Sequence, residues 1–244
     1  MILRFLGTAC GVPTVSRYNA SIALTFDDRT YVLDCGEPCA ASLIRAGISP
    51  LSVKAAFITH AHRDHIAGLP TLIGVMRPYG RKEVFVVHLP EAAIPVIETY
   101  LHFLGIRHDN QGYEWALQPI KAGFIYEDDR LRLSAHPTKH ADQSYAFCIE
   151  ADGKRIVYSG DVRKPGEIGE LYDGADVGIM ELAHFPPEEV VSGLKGRKVG
   201  RLIITHLNHK RQGEEPERLL AAMLEEGLQG PPVVIARDGM VVAM

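Results

Sequence analysis

Residues 59–65 read Thr-His-Ala-His-Arg-Asp-His, which places His60, His62, Asp64 and His65 within six positions. They follow the apolar, β-competent run Ala55-Ala56-Phe57-Ile58, so the cluster is expected where a strand ends. Imidazole nitrogens and a carboxylate converging there offer a transition metal several ligands from a rigid support. A solvated face can also gather histidines, but random placement rarely yields H-x-H-x-D-H at the close of a buried strand. Three further residues repeat the placement. Asp161 ends Ile156-Val157-Tyr158-Ser159-Gly160-Asp161, and His206 ends Leu202-Ile203-Ile204-Thr205-His206. His140 falls between the strand-like runs 131–135 and 145–149. Ligand-type residues at four separate strand ends point to metal chemistry.

The elements that must carry them are short. Apolar runs bounded by Gly, Asp or Pro predict strands at 2–6, 21–26, 30–33, 55–58 and 84–88. A second series is predicted at 124–126, 131–135, 145–149, 156–158, 177–180, 202–205 and 233–236. Asp27-Asp28 and Asp152-Gly153 read as hairpin turns. Helices are predicted over 39–46 and 95–104, each ended by a glycine, and over 214–226, the clearest amphipathic pattern. Strands followed by helices, twice over, predict an α+β protein with two β-rich halves in a single domain spanning 1–244.

The 244 residues suffice for a substantial core, and 46% hydrophobic with 23% charged residues is ordinary for a globular chain. A net charge of −4 and a pI near 6.3 do not mark a nucleic-acid binder. Cys10, Cys35, Cys39 and Cys148 form no C-x-x-C pair and no disulfide framework, as expected of buried thiols in a reducing compartment. No window has the length of a membrane span, and the first residues do not read as a signal peptide. A cytoplasmic protein is expected.

The order His60-x-His62-x-Asp64-His65, His140, Asp161, His206 resembles the metallo-β-lactamase superfamily over nearly the whole chain. The resemblance implies a four-layer αββα sandwich and two metal ions. His60, His62 and His140 would hold the first ion, Asp64, His65 and His206 the second, and Asp161 would bridge them. Such a pair, roughly 3.5–4 Å apart, clamps a bridging hydroxide that attacks near neutral pH. The donor set suits two Zn²⁺, with Mn²⁺ or Fe as alternatives. Relatives with a di-iron redox centre typically carry Glu where His62 stands, so His62 favours hydrolysis. Within the superfamily the chain is most similar to the ribonuclease Z group. Leu6-Gly7-Thr8, Gly11-Val12-Pro13, Arg17-Tyr18-Asn19, Leu33-Asp34-Cys35-Gly36-Glu37 and Ala236-Arg237-Asp238-Gly239-Met240 carry that likeness. Gly7, Gly11 and Gly36 read as turn glycines, and Asp34 as a buried hydrogen-bonding carboxylate near the metals.

Two departures stand out. Ribonuclease Z proper inserts a transfer-RNA-gripping arm between the third metal histidine and the bridging aspartate, whereas His140 and Asp161 are 21 positions apart, room for a plain hairpin. The group also carries a His-Glu pair after the next strand. Here Glu181 is kept, Met180 replaces the histidine, and His184 lies four residues after Met180. His184 is either a group that assists the leaving oxygen or a turn residue before Phe185-Pro186-Pro187. Asp64 or a metal-bound water would handle the proton. The expected activity is a phosphodiesterase acting on a small-molecule or short nucleotide ester, without efficient transfer RNA processing. Hydrolysis of a sulfate ester, thioester or lactone is the alternative, and a non-catalytic metal-binding scaffold is the reading from another class.

His136 competes with His140 as a ligand, and His140 is preferred for its loop position. His88, His102 and His108 read as structural or exposed, and His209 as either pocket-lining or exposed. Residues 90–122 could supply a lid wall or a dimer contact, which leaves a homodimer open. Tyr100 and Phe103 read as core, and Trp115 as a surface residue. A basic surface around Arg77, Arg81 and Lys82 is the candidate replacement for the missing arm.

Overall fold

The computed structural model describes residues 1–212, 218, 220, 221, 223 and 232–244. They form two compact units, Met1–Lys121 with Asp238–Met244, and Ala122–Arg237. The helix expected over 214–226 falls outside the described residues except at isolated positions.

The first unit contains β1 (Ile2–Gly7), β2 (Ser21–Thr25), β3 (Thr30–Cys35), α1 (Cys39–Arg45), β4 (Val53–Phe57), α2 (Arg63–Ile66), α3 (Leu69–Met76), β5 (Phe85–Pro90), α4 (Ile94–Phe103), β6 (Trp115–Ile120) and β14 (Val241–Ala243). Its sheet runs β14-β1-β2-β3-β4-β5-β6. The pairs from β14 to β3 are antiparallel and those from β3 to β6 are parallel. Parallel neighbours cannot be joined by a tight turn, so each crossover carries helix. Cys39, Ala40 and Leu43 of α1, Leu69, Leu72, Ile73 and Met76 of α3, and Ile97 and Leu101 of α4 share one core with the strands.

The second unit contains β7 (Gly123–Glu127), β8 (Leu131–Pro137), β9 (Tyr145–Ala151), β10 (Lys154–Tyr158), β11 (Ala175–Glu181), α5 (Pro187–Gly193), β12 (Val199–Thr205), α6 (His209–Gln212) and β13 (Val233–Ile235). The order β13-β12-β11-β10-β9-β8-β7 repeats the plan: an antiparallel meander from β7 to β10, then parallel β10 to β13. Asp152 and Gly153 turn the β9–β10 hairpin with φ of 49° and 69°, the left-handed pair that suits a two-residue connection. The α+β class read from the sequence is borne out.

Several side chains fall otherwise than expected. Trp115 is buried at 3% exposure inside the first core, and its ring stacks on His108 at 3.9 Å. Tyr100 and Phe103 are exposed at 46% and 80%. Helix α4 carries two apolar stripes at helical spacing, 97/101 and 96/100/103, and only the first meets the sheet. Strand β6 escaped the sequence reading because Gln118 and Pro119 break its apolar run. It lies at the sheet edge, where a proline is tolerated. Arg81 is no surface cation. It is buried, donates to the carbonyls of Val53, Glu83 and Val84 at 2.8–2.9 Å, and lies over the rings of Phe85 and Tyr113.

His88 is structural. It is buried at the end of β5 and stacks on Phe57 with ring centroids 5.0 Å apart. Burial pushes its pKa down from 6.5 to about 4. The unfolded chain therefore takes up this proton first as pH falls. The stability His88 contributes is full above pH 6.5 and is lost on the way down to pH 4, in total about 3 kcal/mol. His88→Phe is expected to flatten the acid limb over that window in urea denaturation of the metal-free protein. An unchanged pH slope would refute it.

Candidate metal centre

Within each unit the ligand-type residues gather at the carboxyl ends of the parallel strands, beside the switch from antiparallel to parallel pairing, where open sheets leave room for ligands. In the first unit the organiser is Asp34, fully buried at the end of β3 with φ of 56°. Its Oδ1 accepts from the Thr59 backbone N–H at 2.7 Å, and the Thr59 hydroxyl also reaches the carboxylate at 2.9–3.0 Å. Its Oδ2 lies 2.7 Å from Nδ1 of His65. Thr59 Oγ1 stands 3.1 Å from Nδ1 of His60. In both rings Nδ1 is tied to a neighbour, so a metal would be met by Nε2. Such outer partners fix the tautomer and aim of metal-ligating histidines.

His62 caps α2, and Asp64 and His65 lie in its first turn. The ring of His60 stands 4.5 Å from that of His62 and 4.1 Å from that of His65, while His65 Nε2 is 3.6 Å from Asp64 Oδ2. Gly36 allows this crowding, since a Cβ there would stand 2.2 Å from the Asp64 carbonyl oxygen. A Cβ at Gly7 would stand 1.8 Å from the Asn19 carbonyl oxygen. Neither glycine has positive φ, so both serve close approach rather than the tight turns expected.

In the second unit the loop after β8 carries His140. Thr138 closes it, donating from its backbone N–H to Ser144 O and from its hydroxyl to Asp161 O, both 2.9 Å. Asp161, 3% exposed, presents its two oxygens to different rings: Oδ2 to His140 Nε2 and Oδ1 to His206 Nδ1, each at 3.4 Å. His136 instead faces Ser134 at 3.2 Å from within β8, and burial, with the Arg155 charge, holds its pKa down. His209 opens α6 and is half-buried.

Glu181 is the residue that the sequence reading noted and left out of its site. It is fully buried at the end of β11. Its carboxylate accepts from the backbone N–H of Val162 at 3.0 Å, Ala183 at 2.7 Å and His184 at 3.3 Å, and from the His184 ring Nδ1 at 2.7 Å. Burial works against its charge, but the bonds to His184 and His206 prevail and lower its pKa. Burial likewise works against a charge on His184, and the bond and charge of Glu181, with the charge of Asp161, prevail and raise it. The His184 side chain is 36% exposed, with its ring 4.5 Å from that of His140 and 5.9 Å from that of His206. Met180, at the position of the family's histidine, is buried in the unit's apolar core.

Each half fits metal binding. Asp161, Glu181, His184 and His206 offer ligand atoms all within 4.8 Å of one another. Two donors 2.0–2.1 Å from one ion at the tetrahedral angle stand about 3.3 Å apart. The imidazole–carboxylate separations of 3.4, 3.4 and 3.6 Å match that spacing and are long for hydrogen bonds. Neutral imidazoles with carboxylates form a borderline donor set suited to a divalent ion.

Comparison with known proteins agrees. Residues 1–185 match the family model described as Anti-Pycsar protein Apyc1, a span holding every expected metal ligand except His206. A ribonuclease Z of Methanothermobacter thermautotrophicus is 31% identical over 204 residues, covering 82% of this chain and 66% of the relative, so the chain spans about two thirds of that protein's length. A ribonuclease Z of Anoxybacillus flavithermus is 34% identical, with 98% of this chain and 96% of the relative covered. In solved structures the fold is shared with the metallo-β-lactamase fold protein YhfI from Bacillus subtilis, at a TM-score of 0.81 and 19% identity over 99% of both chains. The fold and the residues at its strand ends define a metal-dependent hydrolase of the metallo-β-lactamase class. The chain belongs to the ribonuclease Z-like members of that superfamily and, by its family match, to the Anti-Pycsar protein Apyc1 family.

Removing the partner of His65 tests the outer support. Asp34→Asn is expected to weaken retention of divalent metal by about 10–100-fold, the usual consequence of losing such a partner. Competition with a chromogenic chelator measures it. Unaltered retention would show that Asp34 serves only the strand end.

Proposed function

We propose that this chain is a phosphodiesterase that uses two zinc ions, or Mn²⁺ or Fe in their place, to hydrolyse a small-molecule or short nucleotide ester. The observation that carries the reading is Asp161, a buried carboxylate whose two oxygens serve two different histidines. In this reading His60, His62 and His140 hold one ion, Asp64, His65 and His206 hold the other, and Asp161 is shared. The ribonuclease Z relatives support the phosphodiester bond as the target. The metal pair supplies Lewis acidity and activates water near neutral pH.

The chain's own residues do the rest. Asp34 and Thr59 hold the His60 and His65 rings in one tautomer. Asp64 or a metal-bound water would take up the proton of the attacking water. Glu181 holds His184 by Nδ1, and in this reading Nε2 of that ring donates a proton to the departing oxygen. A cytoplasmic setting accords with four buried, free cysteines. Among the described residues no helix is long and apolar enough to cross a membrane.

The substrate is small in this reading because, among the described residues, the interval from His140 to Asp161 holds no arm. The hairpin β9–β10 fills the interval from His140 to Asp161. Alignment with the Anoxybacillus protein runs over 304 positions against 244 residues here, so that relative carries at least 60 residues that this chain lacks. Arg81, part of the candidate substitute surface, is committed to backbone carbonyls.

A turnover panel on metal-loaded protein tests the reading with a nitrophenyl phosphodiester, linear and cyclic nucleotide esters, a sulfate ester, a thioester, a lactone and a precursor transfer RNA. Phosphodiester turnover should dominate and precursor cleavage should be negligible. Faster turnover of another ester class would replace the assignment, and metal binding without any turnover would indicate a scaffold. His184→Ala should lower turnover by roughly a hundredfold on a poor leaving group and much less on a nitrophenyl ester, with metal content unchanged. Equal losses on both substrates would assign His184 to positioning or charge stabilisation instead.

A further inference from the structure

The closing motif around Asp238 has no part in the chemistry above, yet it is bonded into the loop that flanks Asp64. The segment runs beside β1, with Phe5 N–H donating to Met240 O at 3.0 Å and Gly239 N–H to Phe5 O at 2.8 Å. This sets Asp238 against the loop of residues 8–19. Its Oδ1 accepts from the Thr8 hydroxyl at 2.6 Å, and its Oδ2 from the Tyr18 backbone N–H at 2.5 Å. Thr8, fully buried, accepts in turn from Arg17 Nη1 at 2.6 Å. The two limbs of the loop are thereby tied at their base. Ala9 N–H donates to Tyr18 O at 2.7 Å and Asn19 Nδ2 to Cys10 O at 2.7 Å, which extends the closure toward the tip.

The tip meets the metal-ligand segment. Gly11 O accepts from Arg63 Nη2 at 2.5 Å, and a Cβ on Gly11 would lie 3.7–3.8 Å from three atoms of the Asp64 carboxyl group. Gly11 therefore leaves a space about one carbon wide beside the Asp64 carboxylate, while Gly36 packs close to the Asp64 carbonyl oxygen. A shift of the loop would release Arg63 and change the width of the space beside the Asp64 carboxylate. A carboxylate that must stay within a few tenths of an ångström of a productive position needs such backing.

We infer that Asp238 is a positioning residue for Asp64, acting through the Thr8–Tyr18 clamp on the 8–19 loop rather than by touching metal or substrate. The inference rests on the reading of Asp64 as a metal ligand. Its consequence is selective: the metal position that uses Asp64 should weaken, and the one built on His60, His62 and His140 should not.

The test is stepwise chelator competition on full-length Asp238→Asn and Thr8→Val, read as the affinity of each metal equivalent, with melting temperatures of the metal-free proteins measured alongside. One equivalent should bind at least about tenfold more weakly in each variant, the size of loss seen when the support of a ligand is removed. The other should stay as in the parent protein. The double variant should lose little more than either single one, because both break the same link. Two unaltered affinities with a lowered melting temperature would make Asp238 a structural staple and overturn the inference, as would equal weakening of both equivalents. The readout needs no substrate. Failure to cleave phosphodiesters would overturn the functional reading alone, and a parent protein that binds fewer than two equivalents would remove the premise in Asp64.

Discussion

Buried carboxylates held by backbone N–H groups, a hydroxyl and imidazoles set the terms for this structure. Asp34 and Glu181 are fully enclosed, and Asp161 nearly so. An ionised carboxylate removed from water is prohibitively costly unless its oxygens are satisfied. Asp34 is satisfied by a threonine and an imidazole, and Glu181 by three backbone N–H groups and an imidazole. The loops after β3, β4, β10, β11 and β12 must take whatever path delivers those donors. Asp34 and His206 adopt left-handed backbone as part of that path, a conformation tolerated where surrounding bonds over-determine it. The histidines paired with these carboxylates, His65 and His184, are each held through Nδ1.

The two units solve the same problem twice. Each sheet begins as an antiparallel meander and ends as a parallel set, and each brings its polar residues to the end of the strands where the pairing changes. The parallel halves need crossover segments, which bury the sheet's apolar face and send successive loops to the same end. Asp34 and Glu181 hold corresponding positions in this scheme: each ends a strand, is fully buried, and fixes a histidine by Nδ1 at 2.7 Å. In the proposed chemistry a ring held in this way would serve as a ligand in one unit and as a proton donor in the other.

His184 reaches Glu181 from outside the position where the resembling family places its histidine. The family's histidine would stand at Met180, whose side chain fills the apolar core of the second unit. The turn after β11 carries His184 back to the same glutamate, and Leu182 N–H anchors that turn on Thr205 O at 3.1 Å. The contact depends on a turn three residues long, folded against a neighbouring strand, and spacing along the chain does not encode it.

The sequence by itself determined the inventory of ligand-type residues and most of the strands that present them. Histidines and aspartates placed directly after apolar β runs can point to only a few places, and alternation and turn residues are local signals. It also determined the α+β class and the hairpin at Asp152-Gly153, because left-handed backbone has few candidates. Tertiary structure decided the rest. It chose which of the two apolar stripes of α4 was buried, turning Tyr100 and Phe103 outward, and it drew Trp115 into the core through an edge strand that Pro119 had disguised. It spent Arg81 on three carbonyls, paired His184 with Glu181, and tied Asp238 to Thr8 across 230 positions. Periodicity reports that a face is apolar and spacing reports that a donor exists. Only the packed chain decides what each of them meets, because burial and hydrogen bonding are settled between residues distant in sequence.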